Sequence, residues 1–213
     1  MEKHYVIEVE RPEDRFETEN LTREAFWNLY APGCVEHYVL HQYREREDFV
    51  PELNLCMKMD GVIVAHVMYA RSEIQLDAGG VMPIMTFGPL SVAPQLQRRG
   101  LGSALLAESM ERARQLGCKA LAITGNIQFY GTLGFVVASA KGVHYYAEPR
   151  ENDVPYFLIK ELEPGALDGV SGTYRDPDGY KFDIADANAF DALFPPKKKE
   201  KLPTQIFDYE KLN

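Results

Sequence analysis

Alternation of apolar and polar residues from Lys3 to Val9 predicts an opening strand. Leu53–Met59 and Val62–Ala70 are two further β-rich runs, and Asp60-Gly61 between them is a two-residue hairpin signal. Ile74–Asp77 predicts another strand ahead of a loose Ala78-Gly79-Gly80 connection. Between the first two runs the period lengthens. Thr22 is placed as the N-cap of a helix through Tyr30, Pro32-Gly33 breaks the chain, and a second helix sets Val35, Tyr38, Val39 and Gln42 or Tyr43 on one face. Aromatic residues at helical spacing are usually core, so Trp27 and Tyr38 are expected inside.

The clearest pattern runs from Ile84 to Phe135. Ile84–Val92 reads as the central strand, interrupted by Gly88-Pro89, and proline inside a strand marks an edge, an end or a bulge. After the turn Ala93-Pro94-Gln95-Leu96, a helix from Leu101 to Leu116 buries Leu105, Leu106, Met110, Ala113 and Leu116, with Gly117 just past its end. Lys119–Thr124 then forms a strand parallel to Ile84–Val92 through a right-handed crossover. Gly125-Asn126 leads into a short helix with Phe129 and Tyr130, and Phe135–Ala138, Val143–Ala147 and Tyr156–Leu162 supply the remaining strands.

Beyond Pro164 the texture changes to a loop over 165–172, then a short helix within Asp183–Phe194, then the charge run Lys197–Lys201. Ile206, Phe207 and Tyr209 near the end pack on the core or on another subunit, which leaves a homodimer open. The reading is a domain over 1–164 with an extension over 165–213 that has too few apolar residues to fold alone.

Chemistry concentrates at Gln97-Arg98-Arg99-Gly100-Leu101-Gly102-Ser103. The first turn of a helix has backbone N–H groups without intrahelical partners, and the helix dipole adds partial positive charge there. Gly100 and Gly102 let a phosphate approach those amides, and Arg98 and Arg99 add charge, so the segment predicts a pyrophosphate cradle. A P-loop would need GxxxxGK[ST], and a dinucleotide fingerprint a third glycine where Leu105 stands.

The segment resembles the [Gln/Arg]-x-x-Gly-x-[Gly/Ala] motif of the GNAT superfamily of N-acetyltransferases. Phe129-Tyr130-Gly131-Thr132-Leu133-Gly134-Phe135 resembles the Phe-Tyr-x-x-Leu-Gly-Phe segment that closes the same site in that family. The short Gly-Asn-x-x-Phe-Tyr-Gly form, with Pro-Gly-Ala-Leu-Asp-Gly and Phe-Pro-Pro-Lys further on, is similar to a bacterial subset. The resemblance implies an α/β (α+β) GNAT fold: a central, mixed, mostly antiparallel sheet of about six to seven strands, with a splayed parallel pair and flanking helices.

For the site, the resemblance implies acetyl-CoA as cosubstrate, held by Gln97, Arg98, Arg99, Gly100, Leu101, Gly102 and Ser103. Leu90, Ser91 and Val92 are implied at the acetyl group and pantetheine arm, and Asn126 at the cofactor. The backbone N–H near Val92 would face the developing oxyanion, and Tyr130 would protonate the leaving thiolate. Acceptor specificity is implied for Phe26–Tyr43. The reaction is direct attack of a primary amine on the thioester, with a small molecule as the leading acceptor. A protein or peptide acceptor and a non-catalytic acetyl-CoA sensor are the alternatives. The base is not identified by the motifs; Glu36, His37, His41, His66 and Glu73 are its candidates.

Composition narrows the partners. A formal charge of -9 argues against nucleic acid and is compatible with a cationic acceptor. No apolar run reaches the ~18 residues a membrane span needs. The start, Met1-Glu2-Lys3-His4, has no signal-peptide core, and Cys34, Cys56 and Cys118 have no metal-ligand spacing. No metal is implied, and a cytoplasmic protein with reduced thiols is expected.

Overall fold

In the computed structural model, which describes residues 4–207, the opening pattern forms β1 (Val6–Val9), antiparallel to β2 (Leu55–Met59) with Val6 opposite Lys58. Lys3 and Tyr209 lie outside the described residues. The chain divides into two units. The first holds the chain up to Met68, Pro89–Leu105 and the segment from Asp178 on; the second holds Tyr69–Gly88 and Leu106–Pro177.

In the first unit β2 pairs with the start of β3 (Val62–Leu76), Met59 facing Val62. The turn between them has positive φ at Asp60 (50°) and Gly61 (81°), as a twisted two-residue hairpin requires. The first two helices are α1 (Arg15–Phe26) and α2 (Glu36–Tyr43). Thr22 is therefore not an N-cap: it lies inside α1 and is buried. The helix is hidden in the sequence because its inward residues are polar. Thr18, Glu19, Thr22 and Arg23 are all buried, so the apolar stripe of an amphipathic helix is replaced by side chains that pair with other segments.

On α2, His37, Val39, Leu40 and Tyr43 face inward. Tyr38 and Trp27 are only half-buried, which corrects their placement in the core. Tyr38 rests against Phe190 (ring centroids 5.7 Å apart), and Trp27 donates its Nε1–H to the Lys198 carbonyl at 3.0 Å.

Both aromatics are covered by the C-terminal segment. It contains α5 (Ile184–Asp191), capped by Asp183, whose carboxylate accepts from the Ala185 and Asp186 amides. Downstream, Lys197 pairs with Glu24 at 2.8 Å, and the Ile206 and Phe207 amides donate to the Tyr30 carbonyl. Residues 183–207 thus form a strap along α1 and α2.

In the second unit β3 continues unbroken to Leu76, so the two strands expected over 62–77 are one. The other strands are β4 (Val81–Val92), β5 (Ala120–Thr124), β6 (Val136–Val137), β7 (Val143–Tyr145), β8 (Phe157–Glu161) and β9 (Gly172–Tyr174). Within this unit the order is β7-β9-β3-β4-β5-β8-β6. The parallel pairs are β4 with β5 and β7 with β9. The described residues thus hold nine strands, more than expected. One of them, β9, falls where the sequence reads as loop and begins at Gly172, where a Cβ would come within 2.4 Å of the Gln75 carbonyl oxygen, so only glycine lets this short strand close on β3.

The remaining helices are α3 (Leu101–Gln115) and α4 (Ile127–Tyr130). Leu105, Leu106, Met110 and Ala113 are buried on α3 as expected, whereas Leu116 is 49% exposed. The helix ends at Gln115, and Gly117 follows with φ 84°, so Leu116 lies in the unwinding end rather than on the inner face. Among the described residues no helix is long and apolar enough to cross a membrane.

Candidate active site

The parallel ladder between β4 and β5 consists of Met85 with Leu121 and Thr86 with Ala122. Gly88 follows at φ 128°, a conformation open to glycine, and β4 then runs on to Val92. Of the three residues assigned to this end of the strand, Ser91 is fully buried and its hydroxyl donates to Thr22 Oγ1 at 2.9 Å. Its side chain is committed to α1, so only its main chain is available to a ligand. Leu90 and Val92 are half-buried.

The chain leaves β4 through a single 3₁₀ turn, Pro94–Leu96. Gln97 Nε2 donates back to the Val92 carbonyl at 3.2 Å and fixes the bend. Arg98 then takes φ 58° and Gly100 φ 82°. A left-handed arginine is costly, by about 1–2 kcal/mol. Residues of this kind before a helix turn successive amides toward one point, the geometry of an anion nest.

Gly100 begins the helix, since the Ala104 amide donates to its carbonyl at 3.0 Å. The amides of Leu101, Gly102 and Ser103 precede that first intrahelical bond. A Cβ built on Gly100 would meet no atom within 4 Å, so the space over the nest is open. The predicted residues Gln97–Ser103 are thus brought together, along a surface that is exposed from Gln97 to Gly100. The open nest and the free end of the helix dipole fit a pyrophosphate.

Tyr130 and Asn126 belong to the second unit. Tyr130 is half-buried in an aromatic cluster with Phe129, Phe87 and Phe135, at centroid distances of 4.9, 5.8 and 5.6 Å. Its ring lies over Gly125, where a Cβ would sit 2.3 Å from Tyr130 Cε2. The glycine of Gly-Asn-x-x-Phe-Tyr therefore makes room for the tyrosine. Asn126 is the N-cap of α4, its Oδ1 accepting from the Gln128 amide at 2.9 Å, so that oxygen is engaged.

The base candidates fall in different settings. His37 is fully buried, with Nδ1 3.3 Å from Cys34 Sγ and Nε2 3.2 Å from Asp191 Oδ1. His66 is also sealed, with Nε2 2.7 Å from Asn54 Oδ1 and no partner for Nδ1. Burial depresses both imidazoles to about 4. His41 is paired with Glu19 at 2.9 Å, and Glu73 is exposed and accepts from Gln75 Nε2 at 2.5 Å. Glu36 opens α2 and accepts the Val35 amide at 3.0 Å, and burial raises its carboxyl to about 7.

The sequence does not reveal the buried ion network around α1. Arg23 is 1% exposed, and its Nε donates to Asp191 Oδ1 at 2.6 Å while its guanidinium lies 4.4 Å from the Trp27 ring centre. Arg44 bridges Glu10 at 2.7 Å and Glu19 at 2.5 Å. Glu10, Cys56 and His66 bring three possible ligand atoms within 4.8 Å of one another. Arg44 occupies both Glu10 oxygens, and burial pushes the Cys56 thiol well above its ordinary value, so this cluster is a closed hydrogen-bond network. A signal for the network exists only in the excess of polar residues on α1, and it names no partners.

A mixed sheet whose central strand leads through residues of positive φ into the start of a helix defines an α/β fold of two units. Residues 23–135 match the model of the acetyltransferase (GNAT) family, and the chain belongs to that family. The uncharacterized N-acetyltransferase YjhQ of Escherichia coli (strain K12) is 29% identical over 92 residues, which are 43% of this chain and 50% of that protein; the match thus spans half that protein's length. The crystal structure of the GNAT family N-acetyltransferase YhbS from Escherichia coli in complex with CoA superposes with a TM-score of 0.72. It is 22% identical and covers 84% of this chain and 93% of that one. A GNAT family acetyltransferase from Brucella melitensis in complex with acetyl-CoA gives 0.66, also at 22% identity, over 84% and 99%.

Proposed function

We propose that this protein is an N-acetyltransferase that transfers the acetyl group of acetyl-CoA to the primary amine of a small molecule. The observation that carries the reading is the nest from Arg98 to Gly100 opening into the start of α3, with space above Gly100 and family membership behind it. In this reading the amides of Leu101, Gly102 and Ser103 hold the pyrophosphate, with Arg98 and Arg99 adding charge. Gln97 braces the turn through Val92, and the main chain of Leu90–Val92 receives the pantetheine arm and the acetyl oxygen. The bound thioester supplies the activated acyl group. Tyr130, held by its aromatic neighbours over Gly125, donates a proton to the departing sulfur. Asn126 caps the helix that carries it. The 165–213 segment is an extension of the 1–164 core, and its strap shapes the acceptor side along α1 and α2. The CoA and acetyl-CoA complexes of the two similar structures support the choice of cofactor.

Thermal melting with CoA and acetyl-CoA tests the cradle, because a ligand that binds the folded state raises the midpoint. Thiol release over polyamines, amino acids, aminoglycosides and peptides then tests transfer. A raised midpoint with thiol release supports the enzyme, and release with peptides alone replaces the small-molecule acceptor. No shift at saturating CoA defeats the reading. Tyr130→Phe should lower turnover about 10²-fold and leave acetyl-CoA affinity within a factor of about two; full activity would remove the acid role.

A further inference from the structure

Tyr174, on β9, carries a phenol that the fold leaves without a partner. The residue is 1% exposed, and its Oη makes no hydrogen bond among the described residues. Ser72, Thr86 and Asp176 lie around that oxygen, and none of them closes a bond to it. The ring cannot turn to seek one. It is stacked on Phe157 with centroids 5.0 Å apart and lies 6.4 Å from the Tyr145 ring. Buried hydroxyls are almost always paired, so an unpaired one held rigid points to a ligand.

The surrounding groups share one chemistry, and all belong to the second unit. Tyr145 donates its hydroxyl to the Asp176 carboxylate. Arg175, next to Asp176 in the chain, has its guanidinium over the Tyr146 ring, 4.3 Å from the centre. Ser72, Tyr145 and Asp176 are half-buried, so the cluster reaches solvent. Each hydroxyl in it both donates and accepts, whereas the carboxylate accepts. A ligand hydroxyl fits this set: it accepts from Tyr174 Oη and donates onward to Asp176. An ammonium group accepts nothing and would leave the Tyr174 hydrogen unused. An apolar group would leave the phenol unpaired.

The cluster also stands beside the central strand. Thr86 pairs with Ala122 in the last rung of the parallel ladder before Gly88. Phe87, the next residue, has its ring 5.8 Å from Tyr130. Successive strand residues point to opposite faces, so Thr86 and the hydroxyl cluster lie across β4 from Tyr130. Ile84, on the same face as Thr86, packs in one core with Tyr174 and Phe157. The residue before Phe157 ties this group to the tyrosine: the Tyr156 carbonyl accepts from the amide of Gly125, the glycine under the Tyr130 ring, at 2.7 Å.

We propose that Tyr174, with Asp176, Thr86 and Ser72, binds a hydroxyl group of the acceptor, so that the acceptor is a small hydroxylated primary amine. The inference rests on the acetyltransferase reading. Tyr174 selects the acceptor and takes no part in proton transfer, and the amine comes to one face of β4 while the sulfur leaves toward Tyr130 on the other.

The test measures thiol release from acetyl-CoA with amines paired so that each pair differs by one hydroxyl: ethanolamine with propylamine, and 2-aminocyclohexanol with cyclohexylamine. Wild-type kcat/KM should favour the hydroxylated member of each pair by at least about 10²-fold, as a site built to bond a substrate hydroxyl does. Tyr174→Phe should lose most of that preference through a raised KM for the hydroxylated amine. Its kcat/KM for the other amine and its acetyl-CoA affinity should be retained. Because the phenol is unpaired in the free protein, Tyr174→Phe should not lower the melting midpoint. A lowered midpoint would mean that the hydroxyl is bonded internally, and it overturns the site. Equal rates within each pair, or a variant that keeps the wild-type preference, overturn the proposal while the acetyltransferase reading stands. So does a wild type that binds acetyl-CoA and releases thiol with none of these amines. A wild type that does not bind acetyl-CoA overturns the reading and the proposal together.

Discussion

Gln97–Ser103 and the α1–α2 pair belong to the same unit and are built on different materials. The cradle is main chain: its shape comes from φ 58° at Arg98 and 82° at Gly100, and it is exposed up to Gly100. The α1–α2 wall is made of buried polar side chains. Thr18 bonds Glu10, Glu19 bonds Arg44, Thr22 bonds Ser91, and Arg23 bonds Asp191. A phosphate is recognised by amides that every residue carries, so a short motif with two glycines suffices. The wall needs partners far along the chain, and a buried charge that loses its partner is strongly destabilising. The first region should therefore fail in binding when altered, and the second in stability.

Asp191→Ala gives the largest effect. It strands the buried Arg23 guanidinium and removes the acidic neighbour of His37, at a cost of about 3–5 kcal/mol in urea unfolding. CoA binding, measured by calorimetry at low temperature where the variant is folded, should persist. Loss of CoA binding by folded Asp191→Ala would show that the two regions are not separable. Gly102→Glu is the converse. A side chain and a negative charge enter the cradle, so the CoA dissociation constant should rise by about 10²-fold, equivalent to about 2.8 kcal/mol. The unliganded midpoint should move little, because an acidic side chain is tolerated in a helix's first turn. Unchanged CoA affinity by calorimetry would refute the placement of the phosphates.

Acid sharpens the contrast further. The His66 imidazole is held neutral by burial, at about 4 against an ordinary value near 6.5. The unfolded chain therefore takes up this proton first. Its contribution to stability is complete above about 6.5 and is lost as pH falls toward 4, with a slope of at most about 1.4 kcal/mol per pH unit. Urea midpoints at pH 7.5, 6 and 5 should fall in that order, and His66→Gln should remove part of the slope. A midpoint independent of pH across this window would mean that His66 is solvated rather than sealed.

The same contrast explains what could be read from the sequence. The strands, α3 and the cradle follow local rules: alternation, an Asp-Gly turn, and glycines at a helix start. α1 was misplaced because four of its inward residues are polar, and polarity at Thr18, Glu19, Thr22 and Arg23 looks like exposure until Glu10, Arg44, Ser91 and Asp191 are known to meet them. β9 read as loop because Gly172 favours none of the regular elements; its pairing is permitted by the close approach of Gln75. For Ser91, nothing local in the sequence says that its hydroxyl turns to Thr22.

Trp27→Phe is the smallest of these changes and probes where the strap meets the wall. The indole ring lies 4.4 Å from the Arg23 guanidinium and 5.1 Å from Lys197 Nζ, and its N–H donates to the Lys198 carbonyl at 3.0 Å. Phenylalanine keeps an aromatic face for both cations and removes only the donor. The Lys198 carbonyl still accepts from Asn28 Nδ2 at 3.2 Å and lies at an exposed position, so it is not left unsatisfied. The cost should be about 0.5–1.5 kcal/mol, with CoA affinity unchanged. Trp27 is the one tryptophan in the chain, so wild-type fluorescence reports on this contact. Its emission should shift to the red in Asp191→Ala, if losing the Arg23 pair loosens the strap. An unshifted spectrum in a destabilised Asp191→Ala would place the loss in the α1–α2 interior and leave the strap seated by its main-chain bonds to Tyr30 and Asn28.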